Sequence, residues 1–289
     1  MPLGAARFAL QGGGVPALEA EWFATAGGGG SGGNQPRNAP LTQPGGGGGG
    51  GGTLSNLDSG LALATWNTGQ TYAMSTGAAG SRGTGYDTEG DIANKGSNGG
   101  DTTWNDATNG SLTLKGGGGG GSGFSGVGLN GGSGGGAGTR TSAGGTNLGL
   151  SPSQGFAGGS SADYFTSAAG GGKGGVGGSS AGGGNPGDSP DGLTWVNGSE
   201  YAVGGRGSCR QNSVNGTGHS SASAGTGNGG PSRFNSNVDG LNGGSGVIGI
   251  KFPDAYTLSN PGGGLTITSS TTGGYTTAII TGTGNIQFD

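Results

Sequence analysis

PGGGGGGGG, residues 44–52, is the stretch on which the reading of this chain turns. Glycine lacks a Cβ and enters almost any backbone conformation, but it loses more freedom on ordering than any other residue. Fixing a backbone costs roughly 1–2 kcal/mol per residue, so 84 glycines cost on the order of 100 kcal/mol with no side chains to offset it. Such a run either stays disordered, as Gly/Ser linkers do, or finds compensation open only to glycine. Polyproline II geometry is one route, with three residues per turn and a rise of about 3.1 Å, so that eight residues span about 25 Å. Side by side, glycine-only backbones come close enough for N–H···O=C bonds between runs, each net about 0.5–1.5 kcal/mol.

Working outward, related runs occur at Gly27–Gly33, Gly116–Gly123, Gly131–Gly138, Gly170–Gly184, Gly225–Gly230 and Gly243–Gly246. Gly45 and Gly52, Gly116 and Gly121 (the unbroken part of Gly116–Gly123), and Gly170 and Gly184 bound three runs as structural positions. The runs are short, separated by segments of loop length, and several are entered directly from strand-like sequence. That punctuation favours order over a featureless linker. Collagen needs glycine at every third residue and abundant proline; with 11 prolines and a broken period the chain does not fit it. The expected fold is mainly β and irregular: packed polyglycine II helices in a sandwich, short strands and hairpins, almost no α-helix.

Leu, Ile, Val and Phe are sparse, so an ordinary hydrophobic core is not expected, and order is assigned to backbone packing. Eleven basic and fifteen acidic residues give a net charge of −4 with no basic stretch, which argues against a nucleic-acid partner. Residues 1–11 contain no apolar segment of signal-peptide character, and no stretch approaches membrane-spanning length. The expectation is synthesis in a cytoplasm, no membrane insertion, and release by another route such as lysis.

Four segments follow: a lead-in over residues 1–16, a hairpin and glycine-run region over 17–115, a glycine slab with projecting loops over 116–254, and a small β-module over 255–289. Within the second, Ala17–Ala26 alternates as a strand running into Gly27. Leu61–Trp66 and Thr71–Ser75 read as a hairpin about Asn67–Gln70. Asp101–Asn105 and Ser111–Lys115 read as a second hairpin, with Asn109-Gly110 as its turn. Gly80–Gly100 reads as a polar loop. Later, Gly243–Phe252 turns glycine into strand and Pro253 stops it. Leu265–Ser269, Tyr275–Thr281 and Asn285–Phe288 complete the tail.

Candidate chemistry is thin. Cys209 is the only cysteine and His219 the only histidine, and a nucleophilic pair would need an orienting third group and a depressed thiol pKa that nothing nearby supplies. GxGxxG matches are expected by chance at this glycine content, and GGGKG at residues 170–174 lacks phosphate-loop spacing. Asp87, Glu89 and Asp91 alternate as oxygen ligands could for a hard cation, yet such carboxylates are commonplace in solvated loops. No enzyme activity, cofactor or metal is expected. The aromatics say more. Trp22, Trp66, Tyr72 and Trp104 fall in strand-like sequence and read as structural. Tyr164, Phe165, Trp195, Tyr201 and Phe234 sit in polar loops, with Arg206 and Arg210 nearby. Large aromatic surface with few rotatable bonds suits recognition, here of a surface glycan or an outer-membrane protein; loop anchoring and contacts with a neighbouring subunit are the alternatives for this set.

The strand-into-AGGGG join at Ala24–Gly30, TYAMSTGAAG at Thr71–Gly80, GSNGGDTTW at Gly96–Trp104, LTLKGGGGGGSG at Leu112–Gly123 and GGSGVIGIKFPD at Gly243–Asp254 resemble, in that order, the glycine-rich domain of bacteriophage virion proteins. The central alternation is similar to the adhesin at the tip of T-even-like long tail fibres. The resemblance implies polyglycine II helices packed in a sandwich, with loops between them that contact a bacterial receptor. It implies a virion location and other virion proteins as partners, in a trimeric fibre or as copies of the chain itself. The expected function is a non-enzymatic tail-fibre or appendage adhesin for host attachment; the alternative is a capsid or tail decoration or fibre subunit whose loops mediate self-assembly.

Overall fold

The computed structural model describes residues 17–37, 41–85, 93–124, 126–140, 142–181, 184–209, 221–233 and 239–289. They contain no helix. The strands are β1 (Ala17–Thr25), β2 (Gln35–Arg37), β3 (Leu41–Gln43), β4 (Thr53–Ser55), β5 (Ala64–Asn67), β6 (Thr71–Ser75), β7 (Thr102–Asp106), β8 (Gly110–Leu114), β9 (Leu193–Thr194), β10 (Glu200–Tyr201), β11 (Val247–Pro253), β12 (Leu258–Ser259), β13 (Leu265–Thr272) and β14 (Tyr275–Phe288).

Ten of these strands form one antiparallel sheet in the order β4-β1-β11-β14-β6-β7-β8, with β5 on β1 and with β12 and β13 on β14. Beyond β7, the Ala107 N–H donates to the Thr65 carbonyl at 2.8 Å beside β5, which brings the sheet close to closure as a barrel. In β1 the alternation ALEAEWFAT places Leu18, Ala20, Trp22 and Ala24 inside. They meet Trp66, Met74, Trp104, Leu114, Ile248, Ile250, Phe252, Ile280, Ile286 and Phe288 in one buried cluster. Trp22 lies 4.4 Å and Trp66 5.4 Å from Trp104 between ring centroids, and Phe288 bridges Trp66 and Phe252.

An ordinary core therefore exists, against expectation. Apolar residues are few across the chain but concentrated in strands that alternate, and aromatics supply much area per residue. Two further expectations give way. β5 and β6 do not pair as a hairpin: β5 joins β1, whereas β6 lies between β14 and β7. Residues 255–289 are not a module apart, because β14 is a single strand through Gly282 and Gly284 that pairs with β11 and β6. The β7–β8 hairpin is as expected. Gly110 sits there at φ +70°, a left-handed turn position that favours glycine.

The glycine runs leave one end of this barrel. Run 26–33 continues β1 and is buried throughout. Its amides donate with a three-residue period: Ala26, Gly29 and Gly32 to Gly52, Gly49 and Gly46; Gly27, Gly30 and Gly33 to Gly100, Ser97 and Asn94; Gly28 and Ser31 to Gly244 and Leu241, at 2.8–3.0 Å. Its carbonyls accept from Gly117, Gly120 and Gly123, from Gly80 and Gly83, and from Gly230. Run 46–52 repeats the scheme, donating to 115–121, 168–171 and 227–230 and accepting from 26–32, Gly136 and Gly205. Each of these inner runs is thus ringed by backbone. A Cβ added at Gly29 or Gly48 would lie inside contact distance of a facing carbonyl, Gly118 in one case and Gly29 in the other.

Runs at the rim follow a different rule. Gly77, Gly80 and Gly83 face inward and are buried, while Ala78, Ala79, Ser81, Arg82 and Thr84 are exposed. Much of Gly80–Gly100, expected as a polar loop, is accordingly two rim runs that hydrogen-bond to run 26–33. Gly170–Gly184 is likewise not one run. Residues 166–172 and 175–180 lie side by side, with Ala169 N donating to Gly178 O at 3.0 Å. Gly184, at φ +90°, sits beyond the second of them.

Candidate functional site

Runs 26–33 and 116–123 leave the barrel from β1 and β8, and runs 46–52, 94–100 and 240–246 enter it at β4, β7 and β11. The other end of the slab is therefore where chain reversals project. Hydroxyl groups close that end. Ser180 Oγ donates to Ser161 Oγ at 2.9 Å, Ser161 Oγ donates to the Thr166 carbonyl at 2.9 Å, and Ser208 and Ser232 share a 2.7 Å bond. A hydroxyl both donates and accepts, so it can satisfy backbone groups where the glycine lattice stops.

On this closed end two exposed aromatic rings meet a cation. Phe124 follows run 116–123, Arg140 follows run 131–138, and Tyr164 lies between residues 154–161 and 166–172. The Arg140 guanidinium carbon sits 3.9 Å from the Phe124 ring centroid and 4.9 Å from that of Tyr164. Tyr164 is 50% exposed and Phe124 38% exposed. Arg140 is held at φ +67°, a left-handed conformation uncommon for a long side chain. The loop that presents Tyr164 is fixed by Asp163, whose carboxylate accepts from Phe165 N and Thr166 Oγ1, each at 3.3 Å. The arrangement offers two ring surfaces and a cation at the end of a backbone lattice, a site suited to recognition.

Of the other described residues expected to bind, Arg206, Trp195 and Tyr201 lie away from this site. Phe165 is half-buried beside Tyr164. Arg206 lies on the slab's flank, in a groove with Asp188, Asn228 and Ser221–Ser223, and pairs with Asp188 at 2.8 Å. Trp195 and Tyr201 are at the barrel end and buried, at 2% and 5% exposure. Their rings lie 4.7 and 4.5 Å from Phe23, on the outer face of the sheet, with Val247 beneath. Gly249 leaves the room: a Cβ there would run into the Phe23 ring. The recognition role expected for Trp195 and Tyr201 is corrected accordingly. They anchor the β9–β10 hairpin, and Asn197-Gly198 in LTWVNGSEY, with Gly198 at φ +76°, is the turn signal that announced it. Trp195→Ala should therefore lower the melting temperature, with a loss of about 3–5 kcal/mol as for other buried Trp truncations, and leave any surface binding per folded molecule unchanged. A variant that melts like the parent yet fails to bind would contradict this.

Arg210, Phe234 and His219 lie outside the described residues, as do Asp87, Glu89 and Asp91. Cys209 is buried and bridges to Thr166. Among the described residues no group of three or more His, Cys, Asp or Glu side chains is placed to hold a metal ion. Nor is any helix among them long and apolar enough to cross a membrane. Phe124 and Arg140 went unnoticed in the sequence. Neither is near Tyr164 along the chain, and only the parallel packing of their runs brings them together.

A family model described as a glycine-rich domain matches residues 14–253. No curated protein and no solved structure matches the chain.

Proposed function

The chain belongs to the glycine-rich domain family, and from that premise we propose that it is a non-enzymatic recognition protein of a bacteriophage virion, an adhesin on a tail fibre or similar appendage. The runs are read as polyglycine II helices, a reading supported by their three-residue hydrogen-bond period. The barrel end attaches to the rest of the virion. The far end meets a bacterial surface glycan or outer-membrane protein. The observation that carries this reading is the exposed Phe124–Arg140–Tyr164 stack on a hydroxyl-closed, backbone-rigid end remote from the barrel. Rigid aromatic surface contributes contact area at low entropic cost. The ordered series of five motifs adds the phage context.

A structural subunit that binds its own copies is the second reading, and one feature favours it. Among the described strands β13 (LTITSSTT) pairs only with β14, is largely exposed and carries no charge, whereas solvent-facing edge strands are commonly blunted by charges or proline.

Fluorescently labelled chain, applied to a panel of bacterial strains, should bind at least one of them and block phage adsorption to it. Phe124→Ala with Tyr164→Ala should weaken that binding at least tenfold with the melting temperature held. A parent protein that binds no strain but sediments as an oligomer would overturn the adhesin reading in favour of the second.

A further inference from the structure

Arg140 combines three features that a merely structural arginine does not need together. Its guanidinium is flanked by two aromatic rings, both exposed. Its backbone occupies a left-handed conformation, which costs energy and persists only where the surroundings impose it. Finally, no carboxylate among the described residues forms an ion pair with it: the ion pairs they contain belong to Arg82, Lys115, Lys173, Arg206 and Lys251. Arg140 N donates to the Asp163 carbonyl, while the Asp163 carboxylate is turned to Phe165 N and Thr166 Oγ1 instead. The Arg140 Nε is buried with no hydrogen-bond partner.

A guanidinium with rings over it can form hydrogen bonds only through its edge, and that edge is a planar fork matched to two oxygens of one anion. Desolvation by the rings strengthens what it then binds. We propose that the far-end site recognises an oxyanion, the carboxylate or phosphate of an acidic surface sugar, with Arg140 as the fork and Phe124 and Tyr164 as the walls. This rests on the recognition reading above and supplies its ligand class. The carboxylate and phosphate sources share one chemistry and separate experimentally.

The full chain would be titrated with a galacturonic acid trimer, with glucose 1-phosphate and with neutral maltotriose, by calorimetry and by the Arg140 Hε resonance. One or both acidic ligands should saturate and shift that resonance, and which of them does identifies the source; maltotriose should do neither. Arg140→Gln should lose at least tenfold in affinity, Arg140→Lys should recover only part of it, and Tyr164→Ala should lose severalfold, all with the parent's melting temperature. Failure of both acidic ligands to bind overturns the proposal, as does full affinity in Arg140→Gln. If cell binding still depends on Phe124 and Tyr164 while Arg140→Gln leaves it unchanged, the anion assignment falls and the adhesin reading stands.

Discussion

Gly48→Ala will yield little or no folded protein, and Gly48→Val none. Gly48 N donates to Gly230 O at 2.9 Å, and its carbonyl accepts from Gly205 N at 2.8 Å. An added Cβ would lie far inside van der Waals contact with the Gly29 carbonyl. In a side-chain core, overpacking by a methylene costs about 1–3 kcal/mol because neighbours can change rotamer. Here the neighbours are backbone, each pinned by its own hydrogen bonds, so relief requires pulling runs apart. Every buried donor stranded in that way costs about 1–3 kcal/mol more. Two or three such losses match a typical total stability of about 5–15 kcal/mol. Gly175→Ala is the control. A Cβ at that rim glycine meets only the Pro190 Cβ, at 3.7 Å, so it should be neutral or stabilise by about 0.4–1 kcal/mol. Soluble yield and thermal melting report both. A Gly48→Ala protein melting with the parent would refute backbone close packing.

Trp104→Ala should destabilise the barrel by about 3–5 kcal/mol, the cost of deleting a buried Trp and leaving part of its volume empty. Trp104 is 1% exposed, stacks on Trp22 and meets Trp66 edge-on. Its Nε1 also donates to Asp106 Oδ2 at 2.9 Å, and Asp106 is itself buried while accepting from Thr108 N and Asn109 N. Removing the indole takes one partner from a buried carboxylate as well as area from the core. At about 2–4 °C per kcal/mol for a chain approaching this size, the melting temperature should fall by roughly 10 °C. Slab and barrel should melt together, because β1 runs directly into residues 26–33 and residues 94–100 lead to β7. Glycine amides that stay protected from exchange above the variant's barrel transition would show instead that the lattice stands alone.

Legibility followed the side-chain content of each element. The join of β1 to Gly27, the β7–β8 hairpin and the passage from Gly243–Gly246 into β11 could be read directly, because alternation and turn residues are local signals. Rim runs were hidden. A run at the edge of the lattice needs glycine only at the positions that face inward, so Ser81, Arg82, Ser97 and Asn98 give runs the look of loops. The glycines at 282 and 284 break the strand pattern of β14 in two, although its pairing with β11 and β6 carries the strand through both. Trp195 and Tyr201, exposed binding residues by expectation, are buried because Phe23 and Gly249 form a bed for them on distant strands.

By itself the sequence determined that the glycine runs must be held by backbone, that almost no helix is to be expected, and where most inner runs begin and end. Glycine frequency and strand alternation are properties of neighbouring residues, and they act before any tertiary contact forms. The tertiary structure alone decided which run lies beside which, that a barrel closes around scattered tryptophans, and that Phe124, Arg140 and Tyr164 share one surface. A glycine run carries no side chains to specify its partners. Its neighbours are selected only when all the runs pack at once and every amide finds a carbonyl.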